Sequence, residues 1–195
     1  IVILGSTGSI GKSTINILKK KKKNFEVVLL TTHRNYKELY KQAKSFNVKN
    51  LIISDQKSYA ILKAKNKDKK IKIFNNYKDL NKILKKKVDY TMSSISGLDG
   101  LIPTLNIIDK TKTIAIANKE SIICGWNLIK KKLKNFNTEF IPVDSEHFSI
   151  WYALKGNNEI VENIILTASG GPLNKIPLKV NTKKIQNVHL IWHLV

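Results

Sequence analysis

The most chemically specific segment of the sequence reads Pro142-Val143-Asp144-Ser145-Glu146-His147. The chain has 14 acidic residues against 35 basic ones, so two carboxylates two positions apart are conspicuous. In an extended segment, Asp144 and Glu146 project to the same side and can share a hard cation such as Mg²⁺ or Mn²⁺. Two carboxylates rarely complete such a site, so substrate oxygens, water or other ligands would have to fill it. An exposed acidic loop is the alternative interpretation.

A glycine-rich turn opens the sequence and predicts a phosphate site. Gly5, Gly8 and Gly11 follow an apolar strand and lead into a helix, in the order Gly-Ser-Thr-Gly-Ser-Ile-Gly. Glycine lets the backbone approach a pyrophosphate closely, and the helix N-terminus offers N–H groups to that anion. This context predicts a dinucleotide-binding Rossmann unit rather than a plain strand-to-helix turn.

The end of the second strand indicates which dinucleotide binds. An NAD site usually has Asp or Glu there, about 20 residues after the glycines. This chain instead reads Thr31-Thr32-His33-Arg34-Asn35. Arg34 can pair with a 2′-phosphate, so the sequence favours NADP, unless Arg34 is a solvated loop residue.

Two further segments follow predicted strands and are less specific alone. Ala117-Asn118-Lys119-Glu120-Ser121 lies where open α/β sheets bind their ligands, although Lys-Glu before a helix is also a common capping pattern. Thr167-Ala168-Ser169-Gly170-Gly171-Pro172 can form an anion-binding nest or an ordinary turn.

Four of these segments, in their order and approximate spacing, resemble the 1-deoxy-D-xylulose 5-phosphate reductoisomerase family: residues 5–11, 117–121, 142–147 and 169–172. The resemblance covers essentially the whole chain but about the first half of a complete family member. It implies conversion of 1-deoxy-D-xylulose 5-phosphate to 2-C-methyl-D-erythritol 4-phosphate in non-mevalonate isoprenoid biosynthesis. The implied cofactors are NADPH and Mg²⁺ or Mn²⁺, and the implied assembly is a homodimer.

The resemblance also implies a role for each matching residue. Lys119, Glu146 and His189 would be catalytic, and Asp144 and Glu146 would bind the metal. Lys119, Ser145, Glu146, Ser169 and His189 would bind substrate. The cofactor would be held by Thr7, Gly8, Ser9, Ile10, Arg34, Asn35, Asn118 and Glu120.

The sequence departs from the family pattern in three ways. It stops before the family's later Ser, Asn-Lys and third metal-binding Glu, and before the family's carboxyl-terminal helical domain. His33 stands where the family commonly has a small residue, and it could crowd the adenosine. A mobile lid motif, His-Pro-Asn-Trp-x-Met-Gly, is matched in residues 189–195 by His189 and Trp192 alone. We therefore expect a truncated chain that binds NADPH with little or no turnover.

Alternating apolar and amphipathic stretches predict the elements that position these residues. Strands are predicted at residues 1–4, 25–30, 51–54, 71–74, 90–95, 113–117 and 139–143. Helices are predicted at residues 12–22, 36–46, 58–65, 80–86, 101–108 and 121–134, with Ile15, Ile17 and Leu18 facing the sheet. The pattern predicts an α/β fold: a Rossmann-like doubly wound parallel sheet followed by an incomplete α+β catalytic domain. We place the NADPH-binding domain at residues 1–143 and the partial catalytic domain at residues 144–195.

Composition narrows the function classes. A formal net charge of +21 suggests nucleic-acid binding, but Arg34 is the sole arginine and the lysines are spread along the chain. We expect solvated surface charge, no specific nucleic-acid partner and no membrane partner. A single cysteine, Cys124, and no apolar run long enough to span a bilayer favour a cytoplasmic protein. Another NADP-dependent dehydrogenase, a non-catalytic NADP-binding remnant and a polyanion-binding protein remain the alternatives.

Overall fold

Residues 1–155 are described by a computed structural model, apart from the side chain of Glu146. The contacts divide the chain into two units, Ile1–Phe148 and Ser149–Val195. The first unit holds a seven-stranded sheet whose neighbouring strands are all parallel. Its strands are β1 (Val2–Leu4), β2 (Leu29–Thr32), β3 (Asn50–Ile53), β4 (Lys72–Phe74), β5 (Val88–Ser93), β6 (Thr111–Ile116) and β7 (Glu139–Pro142).

In the described part of the chain, six α-helices connect these strands in the βαβ manner and a seventh follows the last strand. They are α1 (Ser9–Lys20), α2 (Tyr36–Phe46), α3 (Gln56–Lys65), α4 (Leu80–Ile83), α5 (Leu101–Ile107), α6 (Lys119–Phe136) and α7 (Ser145–Leu154). The strand order is β4-β3-β2-β1-β5-β6-β7, which confirms the predicted doubly wound parallel sheet. Within residues 1–155, no helix is long and apolar enough to cross a membrane.

Alternation along the strands builds a hydrophobic core on each face of the sheet. Ile3 and Leu30 pack with residues of α1, α2 and α3, whereas Val2 and Leu29 pack with residues of α4, α5 and α6. Because both faces are covered, β1, β2 and β3 are buried along nearly their whole length rather than alternately exposed. Polar loops can therefore gather at the two ends of the strands, which we call the amino edge and the carboxyl edge of the sheet.

Several predicted boundaries shift in the structure. Helix α1 begins at Ser9 rather than residue 12, because the glycine turn leads directly into it. Ile17 is 66% exposed, so its predicted contact with the sheet is wrong, whereas Ile15 and Leu18 are buried. Strand β2 starts at Leu29 rather than residue 25, and α4 ends at Ile83, before the lysine run.

Candidate functional site

The order of the sheet reverses between β1 and β5, which lie side by side at its centre. The chain leaves β1 toward β2 and leaves β5 toward β6, so the two connections diverge. A crevice therefore opens outside the carboxyl ends of β1 and β5. Ligands of open α/β sheets bind at such a switch point. Gly5 follows β1 and Ser94 follows β5, so both residues lie at this crevice.

The three glycines of the predicted turn differ in how strictly the structure requires glycine at each position. Gly5 has a φ of 78°, which disfavours other residues, and a Cβ there would lie 2.8 Å from the carbonyl oxygen of Ser94. A Cβ on Gly11 would lie 2.3 Å from the carbonyl oxygen of Gly5, so helix α1 can approach the turn only with glycine there. Gly8 is less confined, since its nearest neighbour would be 3.4 Å away.

Two threonines at the end of β2 hold the glycine turn, and sequence reasoning missed both. Thr31 accepts the backbone N–H of Gly5 through its Oγ1 at 2.9 Å, and its carbonyl accepts the N–H of Ser6 at 2.9 Å. The hydroxyls of Thr7 and Thr32 lie 2.6 Å apart. Hydroxyls at the end of an otherwise apolar strand were the signal for this role.

The half-buried Tyr77 also supports Thr31. Its hydroxyl donates to Thr31 Oγ1 at 3.2 Å. Burial raises the pKa of Tyr77 above its ordinary value, and the hydrogen bond to Thr31 acts in the opposite direction. Tyr77 therefore stays a neutral donor at physiological pH.

Helix α1 starts without the side-chain cap that other helices of this sheet have. Asn35, Asp55 and Asn118 accept first-turn N–H groups of α2, α3 and α6, respectively. In the described part of the chain, no side chain caps α1 at Gly8, and its first turn holds no acidic residue. The first N–H groups of α1 are thus left to water or to a bound anion.

A groove of about 710 Å³ runs along the carboxyl edge of the sheet beside this turn. It is lined by Gly5, Thr7, Gly8, Thr32, His33, Arg34, Asn35, Ser54, Tyr77, Ser94, Ile95, Ser96, Asp99, Ile102 and Pro103. We call it the turn groove. It joins the glycine turn to the end of β2, as an extended dinucleotide requires.

The end of β2 presents one arginine and one histidine to the turn groove. The side chain of Arg34 is 75% exposed, with its Nε 3.5 Å from Asp55 Oδ1. His33 Nδ1 lies 2.9 Å from the hydroxyl of Ser54. A surface ion pair of this kind is weak, so Arg34 can exchange Asp55 for a phosphate at little cost.

A carboxylate does stand near this position, but β3 supplies it rather than β2. Asp55 caps α3 through a hydrogen bond from the Ser58 N–H at 2.9 Å. Hydrogen bonds from Ser58 hold the pKa of Asp55 below its ordinary value, and the charges of Arg34 and His33 act in the same direction. Because Asp55 caps a helix, it differs from the acidic residue of an NAD site, which binds ribose hydroxyls.

The segment after β6 has one buried side chain with a structural role and two side chains exposed to solvent. Asn118 is buried and caps α6, whereas Lys119 and Glu120 are exposed at the first turn of that helix. A cation at a helix N-terminus is opposed by the helix dipole, so Lys119 does not stabilise α6 from there. Its position suits the binding of an anionic or oxygen-rich ligand.

A second groove, of about 500 Å³, lies beside the turn groove, and we call it the carboxylate groove. Its lining includes Lys119, Glu120, Asp144 and Ser145. It shares Ser94, Ile95 and Ser96 with the turn groove. A ligand in one groove would therefore be adjacent to a ligand in the other.

The expected extended geometry around Asp144 is wrong, because α7 begins at Ser145. Asp144 Oδ1 accepts the N–H of His147 at 3.0 Å and also contacts His147 Nδ1, so the aspartate caps this helix. The premise that Asp144 and Glu146 share the side of an extended strand therefore fails, and with it the geometric argument for a common cation. Their binding of a metal remains a prediction from the resemblance.

The other oxygen of Asp144 still fits a cation site. Its side chain is 11% exposed, and Oδ2 is buried with no hydrogen-bond partner among the described residues. A buried carboxylate oxygen without a partner is costly, and a bound cation would remove that cost. Among the described side chains, which do not include that of Glu146, no group of three or more His, Cys, Asp or Glu is suited to a metal.

The structure thus brings most of the predicted site residues to one edge of the sheet. Thr7, Gly8, Arg34 and Asn35 line the turn groove, and Ile10, Asn118, Lys119, Glu120, Asp144 and Ser145 line the carboxylate groove. Ser9 is the first residue of α1. Glu146 lies in α7 with its side chain outside the described part of the structure, and Ser169 and His189 lie outside the described residues.

Comparison with known families gives two consecutive matches. A family model described as 1-deoxy-D-xylulose 5-phosphate reductoisomerase matches residues 1–125. A second, described as the C-terminal domain of the same reductoisomerase, matches residues 140–193.

Curated relatives carry the same description. One from Pelagibacter ubique is 58% identical over 182 residues, which covers 92% of this chain and 47% of the relative. One from Wolbachia pipientis is 41% identical over 202 residues, covering 100% of this chain and 50% of the relative. The chain spans about half the length of the curated relatives it matches.

Solved structures agree with these matches. The reductoisomerase from Zymomonas mobilis in complex with NADPH is 36% identical, with a TM-score of 0.80, over 90% of this chain and 46% of that one. A reductoisomerase in complex with NADPH, fosmidomycin and magnesium is 32% identical, with a TM-score of 0.68, over 75% of this chain and 36% of that one.

Proposed function

Because this chain belongs to the 1-deoxy-D-xylulose 5-phosphate reductoisomerase family, we propose that its protein converts that sugar phosphate to 2-C-methyl-D-erythritol 4-phosphate. The proposed cofactors are NADPH and a divalent cation, Mg²⁺ or Mn²⁺. The observation that carries the proposal is the pair of adjoining grooves, one beside the uncapped α1 and the other beside Lys119 and Asp144. Family membership replaces the alternative of an unrelated NADP-dependent dehydrogenase.

The turn groove has the chemistry to hold NADPH. Gly8, Ser9 and Ile10 present the start of α1, where N–H groups and the helix dipole favour the pyrophosphate. Thr7 lies beside them, with its hydroxyl on Thr32. Arg34 and Asn35 would face the 2′-phosphate at the far end of the groove, as the predicted NADP preference requires.

The carboxylate groove has the chemistry to hold substrate and cation. Glu146 and the Oδ2 of Asp144, which has no partner among the described residues, would bind the cation. Ser145 and Lys119 would bind oxygens of the sugar phosphate. Glu120 would contact the cofactor where the two grooves adjoin. The cation, when bound, polarises a carbonyl and stabilises the negative charge that develops on oxygen. NADPH, held in the turn groove, would supply the hydride for the reduction.

Lys119 would orient the substrate from a position that costs helix stability, as active-site residues often do. His147 would keep Asp144 Oδ1 occupied, so that Oδ2 is the oxygen turned to the cation. The substrate roles of Ser169 and His189, the cytoplasmic location and the homodimer are further proposals, supported by the family resemblance alone.

Cofactor preference tests this proposal in the 195-residue chain. NADPH and NADH are titrated separately against the chain and against the Arg34→Gln variant, with nucleotide fluorescence as the readout. We expect tighter binding of NADPH than of NADH by the unaltered chain. In R34Q, NADPH should bind about tenfold more weakly, because the cation facing its 2′-phosphate is lost, while NADH binding is unchanged.

Lys112→Gln is the matched control. Lys112 is an exposed cation 2.7 Å from Asp89, at the amino end of β6 and therefore at the opposite edge of the sheet. Its removal changes the net charge by the same amount without touching the turn groove. Equal affinity for NADPH and NADH in the unaltered chain, or equal losses in R34Q and K112Q, would refute the proposed cofactor site.

A further inference from the structure

The side chain of Asn118 connects the two grooves through the loop that follows β5. Asn118 is 3% exposed, and its Nδ2 donates to the carbonyl oxygens of Ile95 and, at 2.5 Å, Gly97. Its Oδ1 accepts the N–H of Ser121 at 2.9 Å, which caps α6. Both N–H donors of the amide are thereby used on the loop, and the oxygen on the helix.

The loop is shaped to receive this side chain. A Cβ on Gly100 would lie 2.3 Å from Asn118 Nδ2 and 2.6 Å from the carbonyl oxygen of Ile95, so another residue there would push the amide away. From the opposite side, Thr104 Oγ1 donates to the carbonyl of Gly100 at 2.7 Å and lies 2.7 Å from Ser93 Oγ. The loop is therefore held between α5 and α6.

We propose that Asn118 is a positioning residue: it clamps the loop at residues 94–97 to the helix start that carries Lys119 and Glu120. Residues 94–96 of this loop form the wall shared by both grooves. Resting on the proposed function, this inference concerns how the nicotinamide half of NADPH is placed against the substrate groove. Donation from the Asn118 amide to the cofactor would require breaking one of its bonds to the loop, since both N–H donors are used there. The residue acts instead through the wall that it fixes.

The geometry of a doubly wound sheet makes the clamp selective for half of the dinucleotide. The two mononucleotide halves bind on opposite sides of the switch point. The adenosine half faces the end of β2, where Arg34 lies, and the nicotinamide half faces the loop after β5. Loosening that loop should therefore weaken the binding of NADPH but leave adenosine 2′,5′-bisphosphate unaffected.

Asn118→Ser separates the clamp from the cap in the 195-residue chain. Serine caps helices about as well as asparagine, but it has no amide to donate to two carbonyls. We expect N118S to bind NADPH about tenfold more weakly and adenosine 2′,5′-bisphosphate within about twofold of the unaltered chain. Asn76→Ser is the matched cap exchange, since Asn76 accepts the N–H of Lys78 at 2.9 Å and makes no clamp in the described chain. N76S should bind both nucleotides normally.

A second variant and a measurement on the unaltered chain keep the inference testable if N118S does not fold. Gly100→Ala retains Asn118 but displaces its amide, so it should reproduce the selective loss of NADPH. In the unaltered chain, the side-chain amide protons of Asn118 should exchange with solvent at least about tenfold more slowly than those of the exposed Asn76.

The outcomes distinguish a failure of the proposed function from a failure of the positioning role of Asn118. If the unaltered chain does not bind NADPH, the proposed function fails and the inference fails with it. If that chain binds NADPH and N118S binds it equally well, the inference alone is overturned. An equal loss of both nucleotides in N118S, or fast exchange of the Asn118 amide protons, would also overturn it.

Discussion

At the residue scale, the three glycines of the turn meet different requirements. Gly11 lets helix and turn approach each other, so it serves the fold as well as the site. Gly8 has room for a methyl group within the protein, and its closeness to α1 N–H groups gives it a role toward a ligand. Substitution of Gly11 should therefore reduce both stability and binding, whereas substitution of Gly8 should mainly reduce binding.

Gly11→Ala and Gly8→Ala test that separation. A Cβ at residue 11 would collide with backbone atoms of Gly5 and Ser6, so G11A should lower the free energy of unfolding by about 2–3 kcal/mol. G8A should change it by less than about 1 kcal/mol, because its nearest contact is 3.4 Å away. Both variants should weaken NADPH binding. Urea unfolding and nucleotide titration measure the two effects, and equal destabilisation by both substitutions would contradict the assignment.

At the element scale, strand ends supply hydroxyls that fix the loops of the site. The end of β2 holds the glycine turn through Thr31, whereas Thr91 in β5 is buried with its hydroxyl unpaired among the described residues. A buried hydroxyl that satisfies a backbone N–H stabilises the fold, and one without a partner does not. These two threonines make a matched pair.

Thr31→Val should lower the free energy of unfolding by about 1–3 kcal/mol, since it leaves the Gly5 N–H without its acceptor. It should also weaken NADPH binding by loosening the turn. Thr91→Val should be neutral or stabilising, because it removes a polar atom that has no described partner. Chemical denaturation checks both variants; a T91V variant that is less stable than T31V would contradict this account of the strand ends.

At the scale of the whole molecule, carboxylates with lowered pKa values make stability fall in acid. A hydrogen bond from Lys44 holds the pKa of Asp68 below its ordinary value of 3.8, and one from Lys112 does the same for Asp89. A carboxylate whose pKa is lower in the folded state contributes stability above its ordinary pKa. That contribution is lost as the pH falls through the folded-state value.

We therefore expect the urea midpoint to be nearly constant from about pH 7 to pH 5 and to drop below about pH 4. The net charge of +21 adds to this drop, since each protonated carboxylate increases self-repulsion. Asp68→Asn should reduce the acid dependence, because one contributing group is removed. An unchanged dependence in D68N would exclude this pair as a source of it.

The sequence was sufficient to predict the parallel sheet. Most of the residues that the family resemblance marked as site residues line the two grooves, and their roles remain predictions. Apolar strands and the glycine turn are local signals, and α2 was placed at both ends correctly. Contacts between residues far apart in the chain could not be predicted from the sequence. The hydrogen bonds from Asn118 to Gly97 and from Tyr77 to Thr31, for example, depend on tertiary packing. The extended geometry at Asp144 failed because a helix cap there outweighed the pattern of two spaced acids.

The central claim is that NADPH binds at the carboxyl edge of the sheet. The amino edge offers a groove of similar size, about 640 Å³, lined by residues that include Phe25, Glu26 and Asp89. Backbone amide chemical shifts recorded during an NADPH titration of the 195-residue chain distinguish the two edges directly. The account predicts the largest shifts in residues 5–11, 33–35 and 94–97. Largest shifts around Glu26 and Asp89, or none at saturating NADPH, would contradict it.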